Sequence, residues 1–231
     1  MRRYEAVIFD AGETLLHPHP SFLELIAEFI RERGHEIDAS RVLAAEASLA
    51  EILTKMFADH ALWSTSPERS RSFWASLYAR FTDELGLDDD DLPDYLYDKF
   101  RDPKHYALFE DALPAISALK HAGYKIGVLS NFEAWLEGLL TSLEVLPLLD
   151  ALVVSGVEGI EKPDPKIFTL ALDRIGARPE RAVYVGDSVT FDVEPASAVG
   201  MRAFLIDRRK RFRGDEHPVI RSLIELPEKL G

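Results

Sequence analysis

Four short stretches of this chain carry residue types that can do chemistry. They are Glu5-Ala6-Val7-Ile8-Phe9-Asp10-Ala11-Gly12-Glu13-Thr14, Leu129-Ser130-Asn131, Glu161-Lys162-Pro163-Asp164, and Gly186-Asp187-Ser188 with Asp192. In the first, an apolar run ends in a carboxylate, Asp10, with Gly12 two positions on. Ligands of parallel sheets bind at the carboxyl ends of strands, so an acid there is a candidate nucleophile or metal ligand. The alternative is an Asp that only caps a turn. The later stretches add a hydroxyl, an ammonium and two further carboxylates, which makes a phosphoryl or metal site the better reading.

The elements around these residues can be read from periodicity. Ala6 to Phe9 is a short buried strand. His17-Pro18-His19-Pro20 is a stiff connection, because proline does not belong in an element interior. Phe22, Leu25, Ile26, Phe29 and Ile30 then recur at helical spacing up to Gly34. Ser40 caps a second helix carrying Val42, Leu49, Leu53, Met56 and Phe57. Ser66-Pro67-Glu68 begins a third, and Asp91-Leu92-Pro93 a fourth. Residues 19–103 therefore read as an all-helical insertion. From Glu110 onward strands alternate with helices: strands at 125–129, 152–154, 182–185 and 203–206, and helices ending at Gly123, passing through Trp135 and Leu139, opening at Pro165, and spanning Phe191 to Val199. That rhythm indicates an α/β, doubly wound parallel sheet. The first strand must join it, since a lone strand cannot bury both faces among helices. The core is thus expected to be discontinuous, residues 1–18 and 104–231, with its two chain crossings, Pro18–Pro20 and Asp102–Tyr106, acting as hinges.

The chain has 231 residues, 47% of them hydrophobic, and a formal net charge of -13. That size allows one large domain, or a medium one with an insertion. The acidic balance argues against nucleic-acid or anionic-membrane binding. There is no cysteine, which excludes disulfides and thiolate metal sites. Without a leader pattern or an apolar run of about 18 residues, a soluble cytoplasmic protein is expected.

In this order, the four motifs resemble those of the haloacid dehalogenase superfamily of hydrolases, in the subgroup with a helical cap after the first core strand. The resemblance covers nearly the whole chain. It implies a Rossmann-like core under a cap, with Asp10 as nucleophile, Ser130 holding the transferring group and Lys162 as the third-motif lysine. It also implies Asp187 as the metal-binding acid and Asp192 as its support. The implied cofactor is Mg2+, held around Asp10, Gly12, Asp187 and Asp192, with Gly12, Glu13 and Asn131 against the substrate. The chemistry is coherent. A carboxylate can attack phosphorus to form an aspartyl-phosphate. A lysine and a metal ion offset the repulsion between that carboxylate and a phosphate, and backbone N–H groups after Asp10 can bind further oxygens.

One position departs from the family pattern. Family phosphatases place a second Asp two residues after the nucleophile, where it protonates the leaving alkoxide and then activates water. This chain has Gly12 there. Family dehalogenases also lack that acid, yet their fourth motif lacks the metal-binding acid that Asp187 matches. Glu13 could substitute, or it points to solvent. Family phosphonate hydrolases use a cap lysine instead, but Lys55 reads as an exposed helix residue. Three functions therefore compete: a Mg2+-dependent phosphatase of a small phosphorylated metabolite, which leads; a 2-haloacid dehalogenase-like hydrolase; and a non-catalytic binding protein.

Other residues have plainer readings. His17 and His19 read as turn histidines near the site entrance, with a substrate role as the minority reading. Trp63, Trp74, Tyr78 and Phe81 read as cap core, with a place facing the cleft between cap and core as the alternative for some of them. Asp88 to Asp91 lacks the ligand spacing of a Ca2+ loop and reads as a solvated helix start. Arg208, Arg209, Lys210 and Arg211 form a solvated basic loop, with a phosphate or partner contact as the minority reading.

Overall fold

The computed structural model describes residues 3–59, 62–214 and 216–230. The chain divides into two compact units, Met1–His17 with Leu108–Gly231, and Pro18–Ala107. In chain order the strands are β1 (Ala6–Phe9), β2 (Leu16–Pro18), β3 (Tyr106–Leu108), β4 (Lys125–Ser130), β5 (Ala151–Val154), β6 (Ala182–Gly186), β7 (Arg202–Ile206) and β8 (Val219–Ile220).

The first unit is a six-stranded parallel sheet in the order β5-β4-β1-β6-β7-β8, flanked by helices. This is the doubly wound, Rossmann-like α/β arrangement. β1 lies centrally between β4 and β6, and all four of its residues are buried. That is why it reads as a continuous apolar run without alternation. The helix Pro165–Ile175 buries Ile167, Phe168, Ala171, Leu172 and Ile175 against the sheet, a stripe at helical spacing. Asp164 caps its first turn through Lys166 N, and Gly176 ends it in the left-handed conformation.

The second unit is helical and has its own core. Leu25, Ile26, Phe29 and Ile30 of helix Phe22–Glu32 pack with Leu77, Tyr78 and Phe81 of helix Pro67–Glu84 and with Leu96 and Phe100 of helix Leu92–Phe100. Tyr78 and Phe81 are buried, while Trp63 and Trp74 are partly buried against the same cluster. Lys55 pairs with Glu51 on an exposed helix face. Asp89 accepts bonds from Arg33 and His35.

Three local expectations are corrected. The helix placed after Ser40 is capped by Asp38, whose side chain accepts Ser40 N, and it breaks at Ala45 into Ala39–Ala44 and Glu46–Asp59. The prolines near residue 18 do not exclude a strand: Leu16–Pro18 pairs with Tyr106–Leu108 in a separate two-stranded sheet, where each strand is an edge and tolerates proline. The helix expected from Phe191 to Val199 starts earlier, as a π turn at Val189–Val193, and continues as Glu194–Ala198. Among the described residues, no helix is long and apolar enough to cross a membrane.

Candidate active site

The carboxyl ends of β1, β4 and β6 meet at one place. Asp10 directly follows β1, and its N–H bonds to the Val185 carbonyl of β6 at 2.9 Å. Ser130 is the last residue of β4, and Gly186 the last of β6, with Asp187 directly after it. Adjacent parallel strands in register deliver these side chains to one edge of the sheet.

Asp10 is buried and holds two donors on one oxygen. Ser130 Oγ donates to Asp10 Oδ1 at 3.0 Å, and Lys162 Nζ to the same atom at 2.8 Å. Lys162 also donates to Asp192 Oδ1 at 2.6 Å and to the Tyr184 hydroxyl at 3.2 Å. Burial opposes the ammonium charge, but Asp10 and Asp192 outweigh it and raise the lysine pKa above its ordinary value. Lys162 is therefore a fixed cation. Burial raises the Asp10 pKa, Lys162 pulls it back and Asp192 adds to the rise.

Asn131 serves the lysine. Its Oδ1 accepts Lys162 N at 2.7 Å, and its Nδ2 donates to Lys162 O at 2.9 Å. The side chain expected against substrate thus clamps the main chain that carries the cation. Asp192 is set by the π turn: Ser188 N donates to its Oδ2 at 3.0 Å, and Ser188 Oγ caps the turn at Phe191 N. Such turns recur at functional sites, because the extra residue redirects a side chain. Gly186 is needed for the same approach. A Cβ there would collide with the Asp192 carboxyl.

Asp10, Asp187 and Asp192 each offer a carboxylate oxygen within 4.8 Å of the others. Burial and then the charges of Asp192 and Asp10 push the Asp187 pKa well up. Part of the Asp187 side chain remains open to solvent, and the two neighbouring carboxylates repel its charge. Three carboxylates against one ammonium leave surplus negative charge on an all-oxygen donor set. That set fits a hard divalent cation.

Gly12 and Glu13 lie in the turn after Asp10. The Gly12 backbone is not left-handed, and a Cβ added there would meet nothing within 4 Å. Glu13 carries the left-handed conformation instead, with φ of 54°. Its half-exposed carboxylate lies 3.6 Å from Arg209 Nη2, and its charge reaches Asp187. The His17 ring lies 4.5 Å from that of Phe109, tilted by 34°.

Tyr184 was not visible as a site residue in the sequence. It sits in the apolar run of β6, yet its buried hydroxyl reaches Asp192 Oδ1 at 3.0 Å and Leu129 O at 3.1 Å. The one available signal is a polar tip in the middle of an otherwise aliphatic strand.

The chain is 28% identical to haloacid dehalogenase-like hydrolase domain-containing protein 3 of Danio rerio, covering 97% of this chain and 95% of that one. It is 28% identical to a phosphoserine phosphatase of Thermus thermophilus, with 89% of each covered. A crystal structure of a HAD phosphatase from Thermococcus onnurineus superposes with a TM-score of 0.64 at 26% identity, covering 98% of each chain. The family model for haloacid dehalogenase-like hydrolases matches residues 4–200, and the chain belongs to that family of hydrolases.

Proposed function

We propose that this protein is a Mg2+-dependent phosphatase of a small phosphorylated metabolite, working through an aspartyl-phosphate on Asp10. The observation that carries the reading is the charge pattern around one atom. Asp10 Oδ1 is held by Ser130 and Lys162, beside two further carboxylates that suit a divalent cation. A dehalogenase nucleophile needs no such cation. The phosphatase names borne by relatives support the same choice.

Asp10, Asp187 and Asp192, with the Gly12 backbone beside them, would hold Mg2+, which would neutralise charge and polarise phosphoryl oxygens. The rest is carried by the chain. With Oδ1 fixed, Asp10 Oδ2 attacks phosphorus, the P–O ester bond breaks, and the leaving oxygen departs with its electron pair. Lys162 and the Ser130 hydroxyl hold the phosphoryl oxygens as their charge redistributes. Water then cleaves the acyl phosphate and regenerates the Asp10 carboxylate. Gly12 supplies no proton for the leaving oxygen, so esters with good leaving groups are the preferred substrates.

The test is a screen of aryl phosphates, acyl phosphates, alkyl phosphates and 2-haloacids, with and without Mg2+. Phosphate release should require Mg2+ and be lost in Asp10→Asn and Asp187→Asn. Gly12 itself favours a second reading, because halide leaves without a proton. Halide released from a haloacid in the presence of chelator would put that reading first.

A further inference from the structure

Arg208, from the basic stretch after β7, reaches the turn that carries Asp10. Its Nη2 donates to the Thr14 carbonyl at 2.7 Å and to Asp111 Oδ1 at 2.9 Å, while Nη1 donates to Asp111 Oδ2 at 3.0 Å. The guanidinium centre lies 3.8 Å from the centroid of the Phe109 ring, and Phe109 N bonds to Leu15 O at 2.9 Å. A planar fork can grip a carboxylate with two bonds, reach a carbonyl and stack on a ring at once; a lysine cannot.

Asp111 is given over to this contact. It occupies the N-cap of helix Ala112–His121, where an Asp side chain ordinarily accepts an N–H of its own helix. Here it makes no such bond. It accepts Arg208, Ser222 Oγ at 2.6 Å and Leu223 N at 2.9 Å. Burial works against its charge, yet these bonds and the Arg208 cation keep its pKa below the usual carboxylate value. Three segments distant in sequence are joined through one carboxylate.

The turn so held is under strain. Glu13 is left-handed, a conformation that a side-chain-bearing residue keeps only where its surroundings enforce it. Glu13 N bonds to Leu16 O at 2.8 Å, and the Ala11 carbonyl accepts Leu15 N at 2.8 Å and Leu16 N at 3.0 Å. These bonds close the turn on itself. The Arg208 bond to Thr14 ties it to the rest of the unit.

We infer that Arg208, seated by Asp111, is a positioning residue for the nucleophile turn. It fixes the Asp10–Thr14 backbone so that the Asp10 carboxylate and the following N–H groups face one bound oxyanion. The kinetic consequence rests on the proposed phosphatase reading; the order of the turn does not.

Hydrogen exchange read by mass spectrometry on the full-length protein tests it. In Arg208→Ala, peptides spanning 10–16 should exchange roughly tenfold faster, while peptides of β4 and β6 keep wild-type protection. Arg208→Lys should follow Arg208→Ala and not the wild type. With p-nitrophenyl phosphate, kcat should fall by about one to two orders of magnitude, with KM changed less than about twofold. If Arg208→Ala does not fold, Arg208→Lys and Asp111→Asn carry the same measurements. Unchanged exchange in the turn, faster exchange everywhere, wild-type behaviour of Arg208→Lys, or a loosened turn with unchanged kcat would each overturn the inference. A wild-type protein inert toward every phosphate ester would instead sink the phosphatase reading, and exchange alone would then decide the role of Arg208.

Discussion

Gly12 leaves room for a carboxylate that the chain does not have. Its φ is outside the left-handed region and an added Cβ meets no atom within 4 Å, so the Cβ of Gly12→Asp is accommodated without backbone strain. The left-handed residue of this turn is the next one, Glu13, where φ is 54°. A general acid contributes roughly 10²- to 10⁴-fold, most for a poor leaving group. Gly12→Asp should therefore raise turnover of alkyl phosphates by about one to three orders of magnitude and affect activated aryl phosphates less. A folded, Mg2+-binding variant with unchanged alkyl turnover would show that Glu13 already supplies the proton or that the site does not catalyse. At this scale, Asp10, Ser130, Lys162 and Asp192 were legible because each polar residue interrupts a pattern at a strand end or element boundary. Tyr184 was not, because an aromatic residue inside a strand is ordinary core. The pairing of Asp111 with Arg208 was not either, since it depends on β7 returning the chain beside the first turn.

Elements with strong local signals were the readable ones. β1, β4, β5, β6 and β7 are short apolar runs bounded by turn residues, and the helices at Pro67 and Pro165 carry a Ser or Asp cap followed by proline. What escaped was set by tertiary context. β8 has only two residues, and β2 and β3 acquire strand geometry through each other. The π turn at Val189–Val193 has no sequence period of its own; the Asp192 contacts with Ser188 and Lys162 hold it. Within the helical unit, the Asp89 contacts with Arg33 and His35 join two elements, and they lead to a pH prediction. Hydrogen bonds from Arg33 first, then His35, lower the Asp89 pKa to about 2. A depressed carboxylate contributes stability above its unfolded pKa, near 3.9, and that contribution is lost as pH falls through the folded value. Asp89→Asn should therefore destabilise the unit at pH 7 by about 1 kcal/mol or less, since the pair is near the surface. In urea melts the gap to wild type should close between about pH 4 and pH 2. A gap that persists at pH 2 would mean the loss comes from packing and not from charge.

Across the whole molecule, charge is the dominant quantity. The chain carries a net -13, and three of its carboxylates converge with oxygens within 4.8 Å of one another. Among the described residues Lys162 is the one cation hydrogen-bonded into that group, and it is shared between Asp10 and Asp192. Asp187 has no hydrogen-bonding cation among the described residues, and its two acidic neighbours repel it. Without a metal ion, this end of the sheet therefore stores electrostatic repulsion that opposes folding. Two consequences follow with opposite signs. Mg2+ held as proposed would bind the folded arrangement and not the dispersed carboxylates of the unfolded chain, and so would stabilise by mass action. At about a hundredfold excess over Kd the gain is about 2.7 kcal/mol, a rise in melting temperature of roughly 5–10 °C for a chain of this length. Asp187→Asn removes one proposed ligand and one repulsive charge together. In chelator the variant should melt at or above the wild-type temperature, and in Mg2+ it should gain almost nothing. Thermal melts of both proteins, each with EDTA and with Mg2+, give the four values needed. A monovalent salt control at matched ionic strength separates specific binding from screening of the net negative charge, which would lift both proteins equally. If Mg2+ raises both melting temperatures by the same amount, Asp187 is not a ligand. If Asp187→Asn melts well below wild type in chelator, its carboxylate makes a structural contact that outweighs the repulsion from Asp10 and Asp192.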